Sequence, residues 1–387
     1  MAVGDVVRIR LEGIAPLGDA VGRFEGKTVF VQGGAPDETV CCRITEDHKS
    51  WAKADILEII EPSLARIDSA CPFYNKCGGC NLQHINYDTQ IKIKSSILNE
   101  TFTRTAGLQP PPLEVFSSSP WEYRNRMQFH CLREKSKGDG KRFGFKSRSG
   151  TEIVPITDCP IAVSSIREKT FDLVLPVEKD RFTVFSKDDV FLNEGGQQKG
   201  KIKLLEKEIS IDAGLFFQSN CLMLEKLILE LQKVAEYADN KLPMADLYCG
   251  VGTFALFLSH MFQKIILAEE NKAAVSLARE NLKGLDAEYF ALRDSQWQPT
   301  LLAKNKQIGQ GFGFAVLDPP RAGLNPKLAT ALAQDGPPLL AYVSCDAASL
   351  ARDTKILTNG GYTLKDLKFF DFYPQTSHIE TLAVFKK

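Results

Sequence analysis

Short apolar runs that end in turn residues divide this chain into segments of different pattern. Residues 1 to about 60 hold runs such as VVRIRLEGI, KTVFVQG, ETVCCRI and AKADILEII, separated by turns rich in Gly and Pro. Short strands spaced in this way predict a compact β barrel. From spacing alone, such a barrel is as consistent with a structural spacer as with a binding module.

The middle segment, residues 61–210, has a mixed pattern. Residues 71–80 (CPFYNKCGGC) predict a loop, a helix is predicted roughly from Thr89 to Phe102, and QPPP at 109–112 interrupts the chain. Residues 121–210 combine short strands with a basic, glycine-containing stretch. The segment therefore predicts a mixed α+β region.

From about Ile211 onward, helices and strands alternate, which predicts a βα-type sheet domain. The runs FAVL (314–317) and LLAYV (339–343) are short and apolar, as buried parallel strands are. Asp318 and Cys345 follow the ends of these runs, so both are expected in one crevice at the carboxyl edge of the sheet. A thiol there can act as a nucleophile, whereas a lone free cysteine is more often a buried apolar group.

Composition limits the class of protein. With 387 residues the chain is expected to form two or three domains, and its 44% hydrophobic and 25% charged residues are typical of globular proteins. The 48 basic and 48 acidic residues balance, so any surface for nucleic acid must be local. No long apolar run or leader-like start is present, so we expect a cytoplasmic protein that does not cross a membrane, with its ten cysteines reduced or bound to metal.

Four cysteines have the spacing of a metal site. Cys71, Cys77 and Cys80 form C-x5-C-x2-C, and Cys159 lies 79 residues further on in the turn-like TDCP. Four thiolates can bind either zinc or an iron–sulfur cluster. The alternative is a set of unrelated buried thiols, against which the flexible Gly78-Gly79 pair argues.

Residues 121–150 form a local basic stretch with nine Lys and Arg against three acids and five interleaved aromatic residues. Basic groups neutralise phosphates and aromatic rings stack on unpaired bases, so this stretch predicts contact with single-stranded RNA. A solvated loop with ordinary surface charge is the alternative.

The run DLYCGVGTF, from Asp246 to Phe254, predicts a cofactor-binding turn between a strand and a helix. Gly250 and Gly252 let the backbone approach a ligand, but the third glycine of a dinucleotide-binding motif is absent. Acids follow each of the next strands, at Glu269, Asp294 and Asp318. This arrangement favours S-adenosylmethionine (SAM) over NAD.

Taken in order, the motifs resemble those of one family, the RNA uracil-C5 methyltransferases, and within it the iron–sulfur branch that acts on 23S ribosomal RNA. The resemblance covers nearly the whole chain. It rests on CPFYNKCGGCNLQH with TDCPI, FFQSN, DLYCGVGTF, LAEEN, LDPPRAG, VSCDAASLARD and FYPQTSHIE.

The resemblance implies a multidomain α/β architecture. Residues 1–60 are expected to form an OB-like β barrel of the TRAM type that binds RNA, and residues 61–210 a central α+β domain with a [4Fe–4S] cluster. Residues 211–387 are expected to form a Rossmann-like class I SAM methyltransferase domain. The implied cluster ligands are Cys71, Cys77, Cys80 and Cys159.

The resemblance also implies the roles of the site residues. Cys345 is expected to be the nucleophile and Glu380 the general base. In this chain Asp346 follows the cysteine, where the family often has Asn, and a carboxylate there would oppose thiolate formation. The expected SAM-binding residues, with the two glycines of the turn, are Gln218, Tyr248, Gly250, Gly252, Glu269, Asp294 and Asp318.

The expected substrate is RNA, with 23S ribosomal RNA favoured and transfer RNA as the alternative, for a monomer without an obligate protein partner. Two other functions remain open. Amino methylation of adenine or cytosine is suggested by Asp-Pro-Pro, although Arg321 stands where such enzymes have an aromatic residue. An iron–sulfur RNA-binding protein with an inactive methyltransferase domain is the other.

Overall fold

The computed structural model describes residues 1–132, 143–170, 173, 180–297 and 311–387. Over these residues the chain divides into two compact units. The first unit comprises residues 1–97, 129–160 and 373–378. The second unit comprises residues 98–128, 161–372 and 379–387.

The strands of the described residues are β1 Val6–Ile14, β2 Ala20–Phe24, β3 Lys27–Gln32, β4 Thr39–Asp47, β5 Trp51–Glu61, β6 Glu114–Phe116, β7 Arg126–Cys131, β8 Phe143–Lys146, β9 Ile153–Pro155, β10 Arg181–Lys187, β11 Val190–Asn193, β12 Lys199–Leu204, β13 Lys207–Asp212, β14 Met244–Leu247, β15 Ile265–Glu269, β16 Ala287–Ala291, β17 Phe314–Leu317, β18 Leu339–Ser344, β19 Thr363–Phe370 and β20 Glu380–Lys386. The α-helices are α1 Tyr87–Thr101, α2 Ser164–Thr170, α3 Cys221–Ala235, α4 Thr253–Leu258, α5 Lys272–Asn281, α6 Pro326–Asp335 and α7 Ala347–Asn359. No helix among these residues is long and apolar enough to span a membrane.

The first unit begins with a closed five-stranded barrel in the order β1-β2-β3-β5-β4. Its strands pair antiparallel except β3 with β5, which run parallel. Residues of β1 alternate between solvent and the interior, where Ile9 and Leu11 pack against Val29 and Val31. This period of two places every second side chain of the strand in the core, and the closed sheet confirms the predicted barrel.

The remainder of the first unit contains a helix and a few short antiparallel strands. The helix predicted from Thr89 to Phe102 is confirmed as α1, and β8 pairs antiparallel with β7 and with β9. Of the basic stretch at 121–150, residues 133–142 lie outside the described residues.

The second unit contains an eight-stranded sheet in the order β16-β15-β14-β17-β18-β20-β19-β6. Neighbouring strands from β16 to β18 run parallel, and β20 is antiparallel to β18 and β19. Every residue of β14, β17 and β18 is buried, as continuous apolar runs require when helices cover both faces of a sheet. The predicted parallel strands FAVL and LLAYV are confirmed.

The order of the strands determines where a ligand can bind. The chain passes from β14 outward to β15 and β16 on one side, and then returns to form β17 on the other side of β14. Ligands of open α/β sheets bind at such a switch point, outside the carboxyl ends of the strands.

Candidate active site

The turn after β14 contains both glycines expected at the cofactor. Gly250 has φ of +54° and Gly252 has φ of +81°, in the left-handed region that glycine adopts without strain. A side chain at Gly250 would meet open space, whereas a Cβ at Gly252 would lie 2.7 Å from Cδ1 of Leu282. Gly250 therefore leaves room for a ligand, and Gly252 lets α4 pack closely against its neighbours.

Two carboxylates border this turn at the ends of β15 and β16. An oxygen of Glu269 accepts the N–H of Gly250 at 3.2 Å, and Asp294 accepts the hydroxyl of Tyr248 at 3.2 Å. The Tyr248 ring packs edge-on against Trp297, and burial and Asp294 raise the pKa of its hydroxyl. The structure thus brings together four of the residues expected to bind SAM.

Two buried oxygens at the switch point have no hydrogen-bond partner within the described residues. Nε2 of Gln218 donates to Asp318 at 3.3 Å, which leaves Oε1 of Gln218 unpaired. Asp246 accepts the N–H of Ala255 at 2.8 Å through Oδ2, while its Oδ1 is unpaired. Because buried polar atoms normally find partners, these oxygens are acceptors suited to the donor groups of a ligand.

Asp246 is a member of the site that sequence reasoning missed. Its side chain is only 1% exposed, and burial, with the charges of Asp318 and Glu269, raises its pKa to about 8. The signal that could have found it is its place as a carboxylate inside the apolar strand that leads into the glycine turn.

Cys345 and Glu380 lie side by side because β18 and β20 are antiparallel neighbours. Ser344 pairs with Thr381. Continuing the antiparallel register by one residue places Cys345 opposite Glu380. The hydroxyl of Thr381 also donates to the carbonyl of Ser344 at 3.2 Å. This register joins residues that are 35 positions apart in the sequence.

The charges around Cys345 come from three side chains. Burial, followed by the charges of Glu380 and Asp318, raises the pKa of Cys345 to about 12, and Arg321 acts in the opposite direction. Burial and Asp318 raise the pKa of Glu380 well above its usual range, again opposed by Arg321. Burial raises the pKa of Asp318 to about 7. Burial thus raises the pKa of all three groups, and Arg321 opposes the shift at Cys345 and Glu380.

Asp346 has a different role from the one expected. Its carboxylate accepts the N–H of Ser349 at 2.7 Å and so caps the first turn of α7. The acids that oppose ionisation of Cys345 are Glu380 and Asp318 instead.

The loop that carries Arg321 is braced by α7. The fully buried Asp353 accepts the N–H of Leu324 and the hydroxyl of Tyr342, both at 2.8 Å. Arg352 donates to the carbonyl of Ala322 at 2.9 Å. These bonds hold the residues after Asp318 against the helix that follows Cys345, which sequence spacing did not indicate.

None of the four cysteines expected to bind a cluster forms a disulfide, and all lie in the first unit. Burial raises the pKa of Cys71, and the nearby charge of Asp158 acts in the same direction. Within the described ranges, no group of three or more His, Cys, Asp or Glu side chains is arranged to hold a metal ion. The donors suit a cluster by their chemistry but do not form a closed ligand set here, so the site stays a prediction.

Arg148, from the basic stretch, supports the cysteine loop (residues 71–80). Its guanidinium stacks over the ring of Tyr74 and donates to the carbonyls of Tyr74 at 2.8 Å and Cys80 at 3.5 Å. Some N–H groups of this guanidinium are therefore already paired within the protein. The expectation that residues 121–150 contact RNA is untested by these contacts.

The fold and the glycine turn define a SAM-dependent methyltransferase that carries an N-terminal barrel, and comparison with known proteins identifies both parts. The profile of the TRAM domain matches residues 2–57, and that of tRNA (uracil-5-)-methyltransferases matches residues 196–292 and 306–387. An uncharacterized RNA methyltransferase of Treponema denticola is 34% identical over 395 aligned positions, which cover 94% of each chain. This chain belongs to the RNA uracil-C5 methyltransferase family and is a SAM-dependent enzyme that acts on RNA.

Two further similarities are more distant. The 23S rRNA (uracil(1939)-C(5))-methyltransferase RlmD of Shewanella halifaxensis is 29% identical over 96% of this chain and 93% of its own. The crystal structure of the Pyrococcus abyssi tRNA (uracil-54, C5)-methyltransferase with S-adenosyl-L-homocysteine superposes with a TM-score of 0.72. That similarity, at 24% identity, covers 98% of this chain and all of the other, and it shows a shared fold.

Proposed function

We propose that this enzyme methylates C5 of a specific uridine in 23S ribosomal RNA through a covalent adduct between Cys345 and C6 of the base. One observation carries the proposal: Cys345 and Glu380 face each other across β18 and β20, with Asp318 and Arg321 within electrostatic range. A nucleophile beside a base, at the carboxyl edge of the sheet that binds the methyl donor, is what addition to a pyrimidine requires.

The chemistry follows from the weak nucleophilicity of uracil C5. Addition of the Cys345 thiolate to C6 converts the ring to an enolate, which makes C5 electron-rich. SAM supplies the methyl group and a positively charged sulfonium. After C5 has taken the methyl group, Glu380 removes the C5 proton, the C5–C6 double bond reforms and the thiolate leaves. The methyl group that C5 takes would leave the sulfur of SAM, which would become the neutral thioether S-adenosylhomocysteine. The other bonds are made and broken on the base and on Cys345.

The environment of Glu380 suits the removal of a proton from carbon. A carboxylate whose pKa is raised by burial holds a proton more tightly and is a stronger base once ionised. The same burial makes the thiolate of Cys345 costly to form in the resting site. Positive charge lowers both pKa values, so Arg321 and the sulfonium of SAM bound beside Asp318 would favour the Cys345 thiolate and the Glu380 carboxylate.

For SAM itself, we propose the residues around the switch point. The unpaired oxygen of Gln218 would accept from its amino-acid portion, as would that of Asp246 once the positive charge of SAM has lowered the pKa of this carboxyl. The carboxylate of Glu269 would accept from ribose hydroxyls. Gly250 leaves the space that the ligand needs. Tyr248, Gly252, Asp294 and Asp318 complete the proposed set by shaping the turn and its borders.

RNA contact in the first unit is proposed for the barrel and the cysteine loop. A cavity of about 470 Å³ in this unit is lined by residues that include Phe30, two cations (Lys53 and Arg148) and three acids (Asp19, Glu46 and Asp55). The aromatic ring can stack on a base, and the balance of charges favours contact with the base and sugar over contact with phosphates. The RlmD relative supports 23S ribosomal RNA as the substrate, whereas the matched tRNA methyltransferase profile makes transfer RNA the second candidate.

We also propose that Cys71, Cys77, Cys80 and Cys159 bind a [4Fe–4S] cluster, and no catalytic step depends on it. Four cysteines within one unit, none of them in a disulfide, support the proposal. Iron and acid-labile sulfide in anaerobically purified protein should each reach about four per chain, and Cys77→Ala should lower both. Zinc at one per chain, or no metal, would contradict it.

The organisation at 1–60, 61–210 and 211–387, a monomeric state and a cytoplasmic location remain proposals. Light scattering of the purified protein tests the oligomeric state. Transcribed RNA is met in the cytoplasm, which is why we retain that location.

The decisive experiment is covalent trapping. Anaerobically purified enzyme and SAM are mixed with 5-fluorouridine-substituted 23S and transfer RNA transcripts and resolved on denaturing gels. Fluorine at C5 cannot leave as a proton, so the enzyme should remain joined to its RNA. An adduct with one transcript that is absent in Cys345→Ala would establish the mechanism and choose between the two RNAs.

The control variant is Cys41→Ala, which removes a partly exposed thiol of the barrel and should still form the adduct. If unsubstituted RNA is methylated while neither fluorinated transcript is trapped, the covalent mechanism is wrong. RNA binding without methyl transfer to total RNA would instead favour an inactive methyltransferase domain.

A further inference from the structure

Residues 373–378 connect β19 to β20 and end two positions before Glu380. This segment belongs to the first unit, whereas the strands on either side belong to the second. Its conformation is held by hydrogen bonds from other parts of the first unit.

Asn81, the residue that follows the cysteine loop, makes several of these bonds. Oδ1 of Asn81 accepts the N–H of Ser377 at 2.8 Å, and Nδ2 donates to Oγ of Ser377 at 3.1 Å. The same Nδ2 donates to the carbonyl of Leu17 in the barrel at 2.8 Å. The backbone N–H groups of Asn81 and Leu82 both donate to the carbonyl of Gln375, at 3.1 and 3.0 Å.

Helix α1 holds the other side of the segment. Gln90 and Gln375 exchange two hydrogen bonds of 3.0 and 2.9 Å, and Nζ of the fully buried Lys94 donates to the carbonyl of Tyr373 at 3.0 Å. Gln375 has φ of +68°, a conformation that costs a residue with a side chain about 1–2 kcal/mol. The shape of the segment is therefore imposed by its partners.

We propose that Asn81 is a positioning residue for Glu380. This inference rests on the role of Glu380 as general base proposed above. Three peptide units join Ser377 to Glu380, and successive Cα atoms are about 3.8 Å apart, so a displaced Ser377 shifts the start of β20. An error of about 1 Å in the placement of a reacting group can cost on the order of 100-fold in rate.

Asn81 also joins the segment at 373–378 to the cysteine loop, because it follows Cys80 directly. Its side chain packs where Gly18 of the barrel leaves room, since a Cβ at Gly18 would collide with it. The barrel, the cysteine loop and the segment that precedes β20 are thus linked through one side chain within the first unit.

The test measures how much of the methylated enzyme–RNA adduct accumulates before the product RNA is released. A misplaced base slows removal of the C5 proton but leaves the earlier methyl transfer intact, so a methylated enzyme–RNA adduct should accumulate on unsubstituted RNA. For Asn81→Ala we expect kcat to fall roughly 10- to 100-fold, with radioactive methyl retained in a denaturation-stable adduct. Asn99→Ala, which changes an exposed asparagine near the end of α1, should behave as the parent enzyme.

Ser377→Ala removes the other partner of one of these bonds and should give a smaller effect in the same direction. Because both changes act through one contact, the double variant should be little worse than Asn81→Ala alone. If Asn81→Ala does not fold, Ser377→Ala alone decides the inference by the presence or absence of the adduct.

Two results are distinguishable. Loss of kcat in Asn81→Ala without adduct accumulation would overturn the positioning role and leave a structural one. Glu380→Gln is the reference: if it does not accumulate the methylated adduct, the assignment of the base is wrong and the proposed mechanism fails first.

Discussion

In the enzyme without its substrates, the thiol of Cys345 should ionise only at unusually high pH. Burial and the charges of Glu380 and Asp318 raise its pKa from 9.0 to about 12. Only the thiolate reacts with alkylating reagents, so at pH 8 the reactive fraction should be roughly 1000-fold smaller than for an ordinary thiol.

The assay is alkylation by iodoacetamide between pH 7 and pH 10, followed by mass spectrometry of the peptide that contains Cys345. Access of the reagent changes the absolute rate but not the form of its pH dependence. The rate should therefore rise about tenfold for each pH unit across this range without levelling. A plateau near pH 9 or below would refute the reasoning.

Charge variants separate the causes of the shift. Glu380→Gln should increase alkylation of Cys345 at pH 8 by removing a like charge, and Arg321→Ala should decrease it by removing an opposite one. Because burial is the largest cause, neither change should restore the reactivity of a free thiol. Equal rates in both variants would show that the charges do not act on Cys345.

Three further predictions concern the catalytic and cofactor residues. Cys345→Ala should abolish methylation while calorimetry shows the dissociation constant for SAM within about twofold of the parent value, since the thiol acts on the base. Asp246, with a pKa near 8, binds a proton on folding between about pH 4 and pH 8, so the free energy of unfolding falls as pH rises through this window. Asp246→Asn should reduce this fall, measured by urea unfolding, by at most on the order of 4 kcal/mol at pH 7. An unchanged dependence on pH would contradict this. Gly252→Ala should destabilise the protein by about 1–3 kcal/mol in thermal or urea unfolding because its Cβ meets Leu282, whereas Gly250→Ala should weaken SAM binding more than folding, and the opposite ranking would contradict the roles assigned to the two glycines.

Local features of the sequence predicted much of the architecture. The spacing of short apolar runs between Gly and Pro turns predicted the barrel, and continuous apolar runs predicted β17 and β18, because strand and turn preferences act over short distances in the chain. Glycines and acids at the ends of these runs predicted the positions of Gly250, Glu269 and Asp318, since turn chemistry depends on neighbouring residues. The roles of these residues came from family resemblance.

Other features depend on contacts between distant parts of the chain. Nothing near Glu380 in the sequence indicates that β20 pairs antiparallel with β18 and so faces it toward Cys345. Asp346 looked like a charge acting on Cys345, and only the start of α7 shows that it is a cap.

The sequence alone therefore determined the elements, their class and the family. Tertiary structure decided which strands are neighbours, which carboxylates are buried and which segment is held by Asn81. The physical reason is range: hydrophobic period and turn preference act over a few residues, whereas strand order and the desolvation that shifts a pKa depend on packing of the whole chain.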